Sequence, residues 1–152
     1  MQHRRISVGV ILLASLCMAG LAIAANAHFI TASATRIGDN VSVSFKEAGL
    51  GNTQTVTVQA SAQTTASYAC FNNAQKNPAA ANKRTVQSLV SASGNFTADK
   101  NGSVSGTLTL TPPDPNFSCP AGQTLVRQSL TYTNVTVTDQ TSNVSKSIPG
   151  TF

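Results

Sequence analysis

His28 is the residue with the most distinctive chemical potential in this chain. It follows Ala25-Asn26-Ala27, a triplet with small residues at its first and third positions. A cut before His28 would leave a mature chain that begins with histidine. Its terminal amine and imidazole would then form a two-nitrogen chelate for copper. A working copper site needs a further histidine or methionine, and the chain beyond His28 holds neither. His28 is therefore kept only as an incomplete copper candidate, and no metal or cofactor is expected. Hydrolytic chemistry meets the same obstacle. A serine or cysteine nucleophile needs a base, and His28 is the only imidazole beyond the leader. Glycosidase chemistry needs two facing carboxyls. Asp39, Glu47, Asp99, Asp114 and Asp139 read as isolated, and most fall at turns, where aspartate bonds its own backbone. Asp99-Lys100-Asn101-Gly102 resembles part of a calcium loop, but the distal glutamate is missing. The expectation is a protein without catalytic residues.

Two cysteines carry the remaining chemistry. Met1 to Arg5 includes Arg4-Arg5, a largely apolar run extends to about Ala25, and small alanines close it. This is the order of a cleaved secretory leader over residues 1–27. The cut falls before His28, or before Ala25 if Ala22-Ile23-Ala24 is read instead. An uncleaved anchor is the rival, since the run approaches the ~20 residues that span a bilayer. Cys17 leaves with the leader. Leu16 before it is not small, so a lipid-anchored cysteine is not expected. Cys70 and Cys119 remain, and in an exported protein a disulfide between them is the expectation. Zinc would need more Cys or His than His28 supplies. The bridge would close a loop of about 50 residues, worth on the order of 4 kcal/mol.

Removing the first 27 of 152 residues leaves 125, enough for one core and too few for two ordinary domains. A single domain is expected over residues 28–152. Without Arg4 and Arg5 the ten basic residues fall to eight, against five acidic ones. Only Lys83-Arg84 are adjacent, so the stripe that nucleic acid requires is absent. No second long apolar stretch follows the leader, so no membrane insertion is expected after cleavage.

The elements that must position these residues are strands. Thr, Ser, Val, Ala and Asn dominate, and apolar residues alternate with polar ones. Val41, Val43 and Phe45 share a face, as do Val56, Val58 and Ala60, then Ala66, Tyr68 and Cys70, and Val104, Leu108 and Leu110. Leu130 and Tyr132 lie in one phase and Val135 and Val137 in the other, which predicts a bulge or sheet crossing near Asn134. Tyr68, Tyr132, Phe29, Phe45 and Phe96 read as core, and no aromatic platform for sugars is apparent. Turns are expected at Gly38-Asp39-Asn40, Glu47 to Asn52 and Thr138 to Asn143. Asn101-Gly102 predicts a type I′ hairpin turn joining the strands through Phe96 and Val104. Thr111 to Gln123 holds four of the six prolines and cannot be an interior strand. The predicted fold is all-β, an immunoglobulin-like antiparallel sandwich of about seven to nine strands with one disulfide.

Phe71 to Arg84 is a long connection, with a short helix predicted over Pro78 to Lys83. Its Asn72, Asn73, Lys76, Asn82, Lys83 and Arg84 are the candidate binding residues, because long tethered loops often carry function. Asn-x-Ser/Thr triplets at Asn95, Asn101, Asn116, Asn134 and Asn143 would take glycans only in a host that glycosylates them.

Four stretches carry a resemblance over nearly the whole mature chain: SFKEAGLGN (Ser44 to Asn52), YACFNN with AANK (Tyr68 to Asn73, Ala80 to Lys83), SASGNFTADKNGSVSG (Ser91 to Gly106), and FSCPAGQTL with YTNVTVTD (Phe117 to Leu125, Tyr132 to Asp139). On these the chain resembles a group of small secreted bacterial β-sandwich proteins of unknown function. The resemblance implies export and paired cysteines and implies no activity. The functional expectation is a secreted, non-catalytic binding or surface-coat module whose partner is an extracellular protein or a surface glycan. A fimbria-like fibre subunit that exchanges strands is the alternative; His28 to Ile37 could serve as the donated strand and reads equally well as an ordinary first strand.

Overall fold

A computed structural model describes residues 26–72, 74 and 82–152. Most of the expected leader, with Cys17, lies outside the described residues, as do Asn73, Lys76 and most of the stretch expected to be helical. Seven strands form among the described residues: β1 (His28–Ile37), β2 (Asn40–Ala48), β3 (Thr55–Asn72), β4 (Lys83–Thr97), β5 (Val104–Leu110), β6 (Gln123–Asp139) and β7 (Val144–Ile148). They make two antiparallel sheets, ordered β1-β2-β5 and β4-β3-β6-β7. No helix among the described residues is long and apolar enough to cross a membrane.

The period-two pattern explains both sheets. On β2, Val41, Val43 and Phe45 face inward, and on β3 the even-numbered residues from Val56 to Cys70 are all buried. Gly38 at φ 60° opens the two-residue turn between Ile37 and Asn40, the position where a glycine-first hairpin needs positive φ. Phe29, Phe45 and Phe96 stack edge to face at 5.9 and 5.0 Å between ring centroids, each contact worth about 1 kcal/mol beyond burial. Gly106 makes room for them, since a Cβ there would run into the Phe45 and Phe96 rings.

The phase change at Asn134 is a bulge. Asn134 has φ 53°, and β6 uses three steps from Thr133 to Thr136 where β3 uses two from Ser61 to Gln63. A second shift falls between Ser67 and Tyr68, opposite Ser129 and Arg127, and the alternation alone did not announce it. Asn101-Gly102 departs from expectation. It does not join two paired strands, because β4 belongs to one sheet and β5 to the other. Gly102 has φ 72°, whereas Asn101 is not among the residues with positive φ, so the turn is not type I′. The Asp99 carboxylate accepts from the Asn101 and Ser103 amides at 2.8 and 3.0 Å, and the Leu50 amide donates to Gly102 O at 3.0 Å. A β2–β3 loop packed against the turn decides its shape.

β3 runs for 18 residues and β2 for nine, so the larger sheet extends past the smaller one. The β1–β2 turn reaches Tyr132, whose hydroxyl donates to Asp39 O at 2.9 Å. Arg36 lies over the Tyr132 ring and donates to Leu130 O at 2.8 Å, and Arg127 pairs with Asp39. Beyond that level the proline-rich segment covers the overhang. Tyr68 Oη donates to Pro113 O at 3.0 Å. Cys70 and Cys119, 49 residues apart in sequence, are disulfide-bonded. The bridge ties the cover to the longest strand.

Candidate functional site

The sequence pattern places two carboxyls in the core. The alternation on β2 continues one step past Phe45, so Glu47 faces inward. The bulge at Asn134 resets β6, so Asp139 follows Val135 and Val137 inward. The strands lie in opposite sheets, and both carboxyls are fully buried. Asp139 charge and a hydrogen bond to Asp139 both act on Glu47. This corrects the reading of these two as isolated turn residues. The signal was available as parity, since each acid shares the phase of three or two buried neighbours.

Burial is the main cause that pushes Glu47 up from 4.5 to about 8, followed by the charge of Asp139 and the hydrogen bond to it. As two ionised carboxylates, neither could donate, and Glu47 Oε1, Glu47 Oε2 and Asp139 Oδ2 would all be buried acceptors without partners. A proton on Glu47 turns it into a donor toward Asp139. Asp139 Oδ1 accepts from the Thr141 amide at 2.7 Å, which fixes one side of the pair. Facing carboxyls of this kind are the layout for general acid and base work. Here both carboxyls are enclosed, with no exposed surface.

His28 opens β1 and is exposed, with its ring N–H donating to Asn26 O at 2.7 Å. A shallow depression of about 390 Å³ beside it is lined by Ala27, Phe29, Val144, Ser145 and Lys146. Lys146 Nζ donates there to Phe29 O and Ile30 O, both at 3.3 Å. An ammonium is a poor neighbour for a cation. Among the described residues no three His, Cys, Asp or Glu side chains are grouped.

The described ends of the long connection converge beside the disulfide. Asn72 closes β3 and accepts from the Ala74 amide at 3.1 Å. Asn82 donates to Gln123 Oε1 at 3.4 Å. Lys83 and Arg84 open β4 opposite Ala69 and Tyr68. With Ser67, Thr85 and Gln128 they border a depression of about 290 Å³. The fold thus brings Asn72, Asn82, Lys83 and Arg84 to one end of the larger sheet, while Asn73 and Lys76 lie outside the described residues.

A larger polar depression, about 490 Å³, lies at the opposite end and is lined by Lys46, Thr97, Asp99, Asn101 and Ser103 among others. Backbone hydrogen bonds from Ser103 and Asn101 hold the Asp99 carboxyl below its usual range. That carboxylate already serves the turn, which accounts for the calcium-like spacing. Comparison with known protein families, curated proteins and solved structures finds no match to this chain.

Proposed function

We propose that this chain is an exported, non-catalytic module that binds or coats an extracellular surface through the end marked by Cys70, Lys83 and Arg84. The observation that carries the reading is the hydroxyl character of both outer faces. Ser33, Thr35, Ser42, Ser44, Thr107 and Thr109 take the outward phase of the smaller sheet, and Thr57, Ser61, Thr65, Ser93 and Thr136 that of the larger. Cross-strand hydroxyl pairs knit them, as in Thr55 with Thr97 at 3.0 Å and Thr138 with Ser145 at 2.9 Å. These hydroxyl-rich faces are interrupted by exposed Ile37, Leu89 and Val126, and the basic pair Lys83 and Arg84 marks one end of the larger sheet. The disulfide supports an oxidising compartment, and so does the resemblance to small secreted bacterial proteins.

The strand order supports an immunoglobulin-like assignment. β1, β2 and β5 correspond to strands A, B and E, and β3, β6 and β7 to C, F and G, with β4 moved to the edge of C. β1 pairs with β2 along its length, so the sandwich supplies its own first strand. That favours a self-sufficient module over a fibre subunit completed by a neighbour. The test is cosedimentation of the oxidised protein with intact producing cells and with their purified surface polysaccharide. Retention that falls severalfold in a Lys83→Ala/Arg84→Ala variant is expected. Equal recovery in the supernatant with and without cells would overturn the reading.

A further inference from the structure

We propose that export processing cuts between Ala24 and Ala25, so that Asn26 and Ala27 belong to the mature domain and His28 is an internal residue. The inference rests on the proposed export of the chain. The sequence reading puts Ala25-Asn26-Ala27 first and Ala22-Ile23-Ala24 second, and the contacts of Asn26 and Ala27 in the fold favour the second. Ala27 packs against the hydrophobic core. Asn26 lies on the β2–β3 loop at Gly49, where φ is +80° and an added Cβ would fall onto the Asn26 carbonyl. Residue 26 thus packs directly on residue 49, at a backbone conformation that itself favours glycine. The same carbonyl accepts the His28 ring N–H at 2.7 Å.

A cut before His28 would undo each of these contacts. It would strip Ala27 from the core and leave the His28 ring without this acceptor. It would also place a new ammonium in the depression that His28 shares with Lys146. A cut before Ala25 preserves all of them. The step is hydrolysis: water adds across the Ala24–Ala25 peptide bond, Ala24 leaves with a carboxylate and Ala25 gains the amine. His28 N then stays in an amide, and the amine-plus-imidazole copper chelate never forms.

Intact-mass measurement with N-terminal sequencing of the product from cells expressing the full chain tests this. The expected species begins at Ala25 and carries one disulfide. A product beginning at His28 would refute the boundary while leaving export standing. A product retaining Met1 in the cell would refute export and the boundary together.

Discussion

Replacing Glu47 by glutamine should make the domain less sensitive to alkaline pH. In the folded chain Glu47 titrates at about 8 instead of 4.5. The folded state thus keeps a proton that the unfolded chain releases. The associated stability is complete below about pH 4.5, declines as pH rises, and is gone above about pH 8. Within that window the slope approaches ~1.4 kcal/mol per pH unit for one proton. The accumulated loss is on the order of several kcal/mol, against a typical net stability of about 5–15 kcal/mol. The substituted glutamine has no proton to lose, and its amide can still donate to Asp139. Near pH 5 the two proteins should be similar, and by pH 8 the variant should be more stable by a few kcal/mol. Asp99 is lowered and Tyr68 and Tyr132 are raised by burial. Their effects lie below about pH 4 and above about pH 10, outside the window. Urea unfolding at pH 5, 6.5 and 8 would measure the effect, followed by circular dichroism or tyrosine fluorescence, since the chain has no tryptophan. A wild-type midpoint that rises from pH 5 to 8, or a variant with the wild-type slope, would refute the reasoning.

Reducing the Cys70–Cys119 bridge, or a Cys70→Ser/Cys119→Ser variant, should cost about 4 kcal/mol; unchanged urea midpoints would contradict the role given to the staple. Gly106→Ala should cost about 1–3 kcal/mol by overpacking the Phe45 and Phe96 rings, and a combined Gly106→Ala/Phe96→Leu variant should recover part of it in thermal melts. Asn134→Ala should cost about 1–2 kcal/mol because its φ of 53° disfavours a Cβ without a compensating side chain. Asn134→Gly, by the same measurement, should be nearly neutral.

The strand pattern was legible because period-two alternation is local. Val41 to Phe45 and Val56 to Cys70 announce their faces without tertiary information. The bulge at Asn134 was legible for the same reason, since the flip is written in the order of Leu130, Tyr132, Val135 and Val137. The Asn101-Gly102 turn was not, because its form depends on Leu50 packing from another sheet connection. The acid pair is less legible, because Glu47 and Asp139 close their strands where turn residues are also expected. Parity puts both inside, but only the fold brings β2 and β6, strands of different sheets, into contact. The stretch from Phe71 to Arg84 was legible as a long connection, and the fold adds that Asn82 and Gln123 join its described end to the disulfide-tethered segment.

Glu47 is the only glutamate in the chain. Labelling glutamate with carbon-13 at its side-chain carboxyl therefore gives a single resonance whose titration reports this one buried site. A midpoint near pH 8 in the folded, oxidised protein is the predicted result. A midpoint near the ordinary value of 4.5 would mean that the acid is solvated, and that the two sheets do not enclose it.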